Sequence, residues 1–140
     1  MQGDHPGEVV HAFYEALDRE HGRAVAGRVH PAFVAYLSGR PPLDSAAFAD
    51  ALEALYAGFP DLRHHVEDLV VAEGRVAARL LERGTHLGPF GGFEPTGAVI
   101  EMAAMAIHRV EGGRLVEMWL VADALGRLRQ LESAAGRAMP

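Results

Sequence analysis

Two early segments of the chain repeat apolar residues every three or four positions, which is the spacing of an amphipathic helix. The first helix is predicted from Pro6 to Gly22. Its apolar face consists of Val9, Val10, Phe13, Tyr14 and Leu17. The second helix begins at an N-cap, Asp44 or Ser45, and ends before Pro60. Between the two, the pattern predicts a short helix over 23–29 and a short strand over 33–37.

Beyond Pro60 the apolar period changes from helical to alternating, which is typical of strands. Four long strands are predicted, at 62–72, 75–86, 98–110 and 114–123, followed by one or two helical turns over 125–131. Segment 88–97 contains four glycines and two prolines and is predicted as a loop that covers the site. Helices followed by antiparallel strands indicate an α+β fold, one domain over 1–140, in which a curved sheet wraps the helices as a cone with one open end.

The last predicted hairpin turns at Gly112-Gly113, and its alternation indicates the wall of a cavity. On its first strand the inward set is apolar and ends in a histidine: Ile100, Met102, Ala104, Ala106 and His108. A two-residue turn pairs Glu111 with Arg114, so that the opposite strand contributes Glu117, Trp119, Val121 and Asp123 to the same inward face. Small alanines beside a tryptophan leave the space that a cavity requires.

The chain has no cysteine, lysine or asparagine, and its 13 basic residues are all arginine. These absences exclude thiolate nucleophiles, disulfides, lysine Schiff bases and the P-loop lysine. None of the three serines lies in a nucleophile elbow. The net charge of −6 and the lack of an arginine run argue against nucleic-acid binding. Chemistry is therefore expected from carboxylates, imidazoles, tyrosines, arginines and the backbone.

No signal peptide or membrane-spanning stretch is visible, so a cytoplasmic protein is expected. His64 and His65 are adjacent on a predicted strand and point to opposite faces, so they cannot share one metal ion. No other histidine spacing is typical of a metal site. The sequence predicts neither a metal nor a cofactor.

Four residues are candidates for proton transfer, and each has two interpretations from its position alone. Asp123 is either a general base on an apolar wall or the N-cap of the following helix. His108 forms either an acid–base pair or a satisfied polar pair with Glu117. His86 ends a strand beside the glycine-rich loop, as a pocket residue or a turn residue. Tyr14 is either a core aromatic or a donor to an oxyanion.

Ordered motifs along the chain resemble the SnoaL-like polyketide cyclases. They are Phe59-Pro60-Asp61-Leu62, Val66-Glu67-Asp68-Leu69, Glu73 to Arg79, Gly84-Thr85-His86-Leu87-Gly88, Pro95-Thr96-Gly97, Glu111 to Trp119 with Asp123, and Gln130-Leu131. The resemblance extends from the first helix to Leu131 and implies the nuclear-transport-factor-2-like cone, a deep apolar pocket, and a homodimer formed through the outer sheet face.

The resemblance also implies a cofactor-independent intramolecular aldol closure of a polyketide-type substrate. It favours Asp123 as the acid/base, with His108 as the pocket histidine and His86 in the Gly-Thr-His motif. His108 or Tyr14 would then hydrogen-bond the enolate or the accepting carbonyl. The expected substrate-binding wall consists of Trp119, Tyr14, Phe13, Tyr36, Met102 and Glu117. Two alternatives stay open: an isomerase or epoxide hydrolase on the same scaffold, and a protein that only binds a small molecule.

Overall fold

The computed structural model describes residues 5–138 and contains three helices and five strands within that range. In chain order they are α1 (Pro6–Glu20), β1 (Val29–Leu37), α2 (Ser45–Gly58), β2 (Arg63–Ala72), β3 (Arg75–Thr85), β4 (Val99–Glu111), β5 (Arg114–Ala122) and α3 (Ala124–Ala138). The predicted α+β order is confirmed. The predicted short helix is instead a 3₁₀ turn over His21–Val25, and α3 is much longer than the two turns predicted.

The five strands form one curved sheet in the order β1-β5-β4-β3-β2. Three neighbouring pairs are antiparallel, and β1 joins the edge of β5 in parallel. Helices α1 and α2 lie against the concave side, which makes the sheet and helices a cone. No helix among residues 5–138 is both long enough and apolar enough to cross a membrane.

Both early helices follow the apolar pattern of their sequence. In α1 the inward residues are Val10, Phe13, Tyr14, Ala16 and Leu17. Helix α2 begins at Asp44, whose carboxylate accepts a hydrogen bond from the Ala47 amide at 2.9 Å and so satisfies a free helix-end donor. The apolar faces of the two helices pack against alternate residues of the sheet. Burial of this apolar surface is the main favourable contribution to the free energy of folding.

The β4–β5 hairpin begins as predicted and then changes register. Gly112 and Gly113 both have positive φ, and Glu111 pairs with Arg114. A β-bulge follows, because Arg109 pairs with Glu117 whereas Val110 pairs with Leu115. Val116 is the extra residue, and it is buried together with its neighbour Leu115. One extra residue moves every later side chain of β5 to the opposite face.

The bulge makes the predicted inward set of β5 wrong. His108 pairs with Met118 and not with Glu117, and the residues of β5 on the concave face are Met118, Leu120 and Ala122. Glu117 lies on the outer side and forms an ion pair with Arg109. The inward set predicted for β4 is confirmed, since Ile100, Met102, Ala104, Ala106 and His108 are all buried.

Two of the four aromatic residues predicted for the pocket wall, Tyr36 and Trp119, lie together on the outer face. Trp119 stacks on Tyr36 of the parallel neighbour β1, with ring centroids 5.6 Å apart. The guanidinium of Arg75 lies over the Trp119 ring. Trp119 therefore belongs to an exposed apolar surface of the sheet that also includes Met105, Ile107 and Val121.

Candidate functional site

A cavity of about 190 Å³ lies between α1, α2, the concave face of the sheet and the first turn of α3. Its walls are mostly apolar, and the sheet contributes Met102, Met118, Leu120 and Ala122. Four polar side chains line its interior: Tyr14, His64, Glu82 and Arg127. Exposed Ser38 and Arg40 mark its opening to solvent. Few polar groups on apolar walls are typical of a small-molecule site.

His64 is held in one orientation by Asp18 of α1. Its ring Nδ1 lies 2.8 Å from Asp18 Oδ1, and its backbone N–H donates to Asp18 Oδ2 at 2.9 Å. Tyr56 of α2 donates its hydroxyl proton to Asp18 Oδ1 at 2.8 Å. Because an ionised carboxylate only accepts, Nδ1 of His64 carries a proton and Nε2 faces the cavity side.

The hydrogen bonds also move the pKa values of this pair apart. Burial by itself raises the pKa of Asp18, but the bonds and charge from His64, and the bond from Tyr56, outweigh it, so that the pKa is lowered. For His64, burial lowers the pKa, but the hydrogen bond that it donates to Asp18 and the charges of Glu82 and Asp18 outweigh this effect, and the pKa is raised. Asp18 is therefore ionised, and His64 readily holds a second proton.

Glu82 is a buried carboxylate directly opposite His64 on the neighbouring strand. The two residues are paired partners on β2 and β3, and Nε2 of His64 lies 3.8 Å from Glu82 Oε2. Burial raises the pKa of Glu82, and the nearby charges of His64 and Arg127 only partly oppose it. A carboxylate with a raised pKa is a stronger base than an exposed one, which suits it to proton abstraction.

Tyr14, which lines the cavity, is hydrogen-bonded to His108, which lies behind it. His108 Nδ1 donates to the Val76 carbonyl at 3.0 Å, so Nε2 accepts the hydroxyl proton of Tyr14 at 2.6 Å. Burial lowers the pKa of His108, and the Val76 contact only partly opposes it. His108 is fully buried and does not line the cavity. The structure therefore favours the interpretation of His108 as part of a satisfied polar pair, with Tyr14 as the partner in place of the predicted Glu117, because both of its nitrogens are hydrogen-bonded within the protein.

His86 supports the glycine-rich loop and does not line the cavity. The Thr96 amide donates to His86 Nδ1 at 3.2 Å, and Thr96 Oγ1 is 3.0 Å from the same nitrogen. The imidazole is fully buried and lies against Phe59. These contacts tie the two ends of the loop together, which is a structural role.

Asp123 is an exposed helix cap. Its Oδ1 accepts a hydrogen bond from the Gly126 amide at 2.9 Å, in the first turn of α3. Its neighbours Ala122 and Ala124 line the cavity, but Asp123 does not. The structure therefore favours the N-cap interpretation over a base on an apolar wall, because the bulge in β5 turns Asp123 away from the concave face.

Of the residues predicted for the site, the structure brings Tyr14 and Met102 to the cavity. Phe13 is buried in the core, where its ring contacts Phe48. The site residues absent from the prediction are Asp18, His64, Glu82 and Arg127. Two signals existed: Glu82 follows Val76, Ala78 and Leu80 at alternate positions, and Asp18 follows Tyr14 by one helical turn.

No group of three or more His, Asp or Glu side chains within 5–138 is arranged to hold a metal ion.

The sequence profile of the SnoaL-like polyketide cyclases matches residues 7–131. The chain belongs to the SnoaL-like polyketide cyclase family. This SnoaL-like chain matches no curated protein sequence significantly.

Solved structures share the SnoaL-like cone over nearly its whole length. IdmH of Streptomyces antibioticus, provisionally named a polyketide cyclase, is 30% identical; the match covers 92% of this chain and 99% of IdmH, with a TM-score of 0.82. A protein of Acidithiobacillus ferrooxidans, provisionally named in the same way, is 26% identical, with 96% and 100% covered and a TM-score of 0.83.

AclR of Streptomyces galilaeus is also 26% identical, with 91% of this chain and 81% of AclR covered and a TM-score of 0.83, but it is provisionally named a hydroxylase. Proteins named for different reactions therefore share the SnoaL-like fold. The reaction of this chain has to be argued from its own cavity.

Proposed function

We propose that this protein is a cofactor-independent cyclase that deprotonates a carbon acid in its cavity and closes a ring of a polyketide-type substrate by aldol addition. The observation that carries the proposal is the buried series Asp18–His64–Glu82, which combines a base and an acid on an apolar wall. Membership of the SnoaL-like family and the cyclase names of two structural neighbours support it.

In the proposed first step, the Glu82 carboxylate removes a proton from the carbon between two carbonyl groups, and an enolate forms. Both carbonyls delocalise the charge, and the mostly apolar cavity walls strengthen its attraction to nearby cations. In the second step the enolate carbon attacks a carbonyl carbon of the same molecule, and a C–C bond forms. Because one molecule carries both reacting carbons, binding in a folded conformation supplies much of the rate enhancement.

The oxygen of the attacked carbonyl becomes an alkoxide and needs a proton. His64 in its doubly protonated form donates the Nε2 proton to that oxygen, and Asp18 stabilises the imidazolium before the transfer. The proton on Glu82 then returns to His64 Nε2, since the two groups face each other at 3.8 Å. The cycle consumes no oxidant, reductant or water, and every proton removed is returned.

The proposal is tested by deuterium exchange at C3 of 3-methylpentane-2,4-dione in D₂O, followed by proton NMR. Its C3 lies between two carbonyls, as the proposed mechanism requires. Wild-type protein is expected to accelerate exchange, and Glu82→Gln is expected to reduce the catalysed rate at least about 100-fold, the lower range of a general-base contribution. Asp123→Asn, a carboxylate change outside the cavity, serves as the matched control and is expected to retain the rate.

Two results would reject this assignment: an unchanged exchange rate in Glu82→Gln, or loss of exchange in Asp123→Asn. Binding of the dione by wild type without any exchange would favour the alternative of a protein that only binds its ligand. Exchange with 3-methylpentane-2,4-dione together with failure to cyclise 3-acetylnonane-2,8-dione, whose carbon between two carbonyls can close a six-membered ring on the third carbonyl, would favour an isomerase. Isomerisation needs the same proton transfers without ring closure.

We further propose a homodimer that pairs through the outer face of the sheet, as members of this family are expected to do. The supporting observation is the exposed apolar surface formed by Met105, Ile107, Trp119 and Val121, in which Met105 and Val121 are 62% and 68% exposed. Analytical ultracentrifugation of Val121→Glu is expected to show a monomer, and a Leu125→Glu control outside this surface a dimer. A wild-type monomer would contradict the proposal.

A cytoplasmic location stays a prediction.

A further inference from the structure

Arg127 lines the interior of the cavity, where the carboxylate of Glu82 is the countercharge that acts on it, from beyond ion-pair distance. Within 5–138 its side chain makes no ion pair and no hydrogen bond. Its guanidinium lies over the Phe90 ring, 4.8 Å from the centroid, which fixes one face of the group against the loop. Tyr14 and His64 differ in this respect, because both are hydrogen-bonded within the protein.

The position of Arg127 is less favourable for a cation than a fully exposed position. The side chain is half-buried in the first turn of α3, and burial lowers the pKa of its guanidinium while the charge of Glu82 opposes that effect. Taking a charge out of water without a hydrogen-bonded partner is unfavourable. An anionic ligand that enters the cavity would supply the missing partner and recover that cost.

The shape of the guanidinium defines which anion fits. Its N–H groups form a rigid planar fork that matches two oxygens held in one plane. A carboxylate offers such a pair, and so does the enolate of a 1,3-dicarbonyl compound in its U-shaped conformation, in which both oxygens share one negative charge. The fork lies in the same cavity as Glu82, the proposed base.

We propose that Arg127 binds a planar two-oxygen anion of the ligand, either a carboxylate or the enolate of a 1,3-dicarbonyl unit. This inference rests on the proposed function only for the enolate, because binding of a carboxylate requires no chemistry. In the enolate case Arg127 holds both oxygens while Glu82 takes the proton from the carbon between them. The substrate class is then a 1,3-dicarbonyl compound bound through its oxygens.

The first test compares 2-naphthoate with its neutral isostere 2-naphthamide by calorimetry. Wild type is expected to bind the carboxylate at least about tenfold more tightly, and Arg127→Gln is expected to remove that preference. Arg127→Lys keeps the charge without the fork and is expected to retain part of the preference. Arg129→Gln, an exposed arginine two positions along α3 that does not line this cavity, is the control and is expected to keep all of it.

The binding place is checked by NMR of ¹³C-methyl methionine. Met102 and Met118 line the cavity, and Met105 is exposed on the outer face. 2-Naphthoate is expected to shift the first two signals and to leave Met105 unchanged. Equal affinity for acid and amide, no binding of either probe, or a shift of Met105 alone would overturn the proposal.

The second test distinguishes the two sources of the anion. Benzoylacetone ionises to an enolate with its own ultraviolet absorption band. If the natural anion is an enolate, wild type is expected to lower the pKa of bound benzoylacetone by about one unit or more, a tenfold effect, and Arg127→Gln to abolish this shift. Preference for naphthoate without that shift would show that the natural anion is a carboxylate. Failure of the proposed chemistry is detected separately by the dione exchange experiment, whereas failure of the anion site is detected by these binding measurements.

Discussion

His64 Nε2 and Glu82 Oε2 lie 3.8 Å apart as direct cross-strand partners on β2 and β3. Their backbones are joined by the sheet, so their separation is fixed by the strand register and not by flexible side chains alone. Asp18 approaches the far side of the imidazole from a helix. The acid, the base and the group that orients the acid therefore come from three elements, and the fold must be complete before they meet.

Loss of Asp18 is expected to act through His64. In Asp18→Asn the amide cannot stabilise the imidazolium, so the pKa of His64 falls and less of the doubly protonated acid is present at neutral pH. An NMR titration of the His64 ring measures this directly. A His64 pKa equal to that of wild type would contradict the role assigned to Asp18. Asp50→Asn, on the exposed side of α2, is the matched control.

The same pair predicts a pH window for stability. The pKa of Asp18 is lowered by folding, so its contribution is present above its unfolded value of about 3.8 and is lost as the pH falls through the folded value. The pKa of His64 is raised, so its contribution is complete below about 6.5 and is lost as the pH rises through the folded value. Buried Glu82, with its raised pKa, weakens stability toward high pH in the same direction.

The destabilisation caused by Asp18→Asn, measured by urea unfolding, is therefore expected to be largest between about pH 4 and 6.5. It should shrink on both sides of that interval. A difference that does not vary with pH would show that the charge of Asp18 does not contribute to stability. Its packing and the hydrogen bond that it accepts from the neutral Tyr56 hydroxyl would then account for the effect.

Asp123→Ala is expected to cost about 1 kcal/mol of unfolding free energy, the usual effect of removing an N-cap. Its carboxylate caps α3 through the Gly126 amide, and Asp123 does not line the cavity. Chemical denaturation measures the cost, and dione exchange is expected to continue in the same sample. Exchange lost with stability intact would restore Asp123 as a catalytic group.

Tyr14→Phe is expected to destabilise the protein by about 1–3 kcal/mol, because it leaves the buried Nε2 of His108 without its donor. The ring and its packing stay, so the change isolates the hydrogen bond. Thermal or urea unfolding gives the value. A variant as stable as wild type would mean that a water molecule replaces the hydroxyl.

The fluorescence emission of the single tryptophan, Trp119, is expected to stay unchanged when a ligand binds in the cavity. The indole lies on the outer sheet face against Tyr36, across the sheet from the cavity walls. Titration with 3-methylpentane-2,4-dione should leave its emission unchanged, while dissociation of the proposed dimer should alter it. A large change on addition of the dione would contradict the observed register of β5.

The sequence alone determined the element order, the α+β class, the hairpin turn at Gly112-Gly113 and the inward set of β4. Each of these depends on local chemistry or on a simple period: positive φ at two glycines, a cap at Asp44, alternation along one strand. The motif resemblance added the family, which the match over residues 7–131 confirms.

The tertiary structure decided which side chains enter the cavity. A single extra residue, Val116, shifts β5 against β4 and moves Glu117 and Trp119 to the outer face, with Asp123 left as a cap beyond the strand end. No alternation of apolar residues signals such a bulge, because Leu115 and Val116 are both apolar. Asp18, His64 and Glu82 lie far apart in the chain, and only the packing of α1 against a particular strand register brings them within reach of one another.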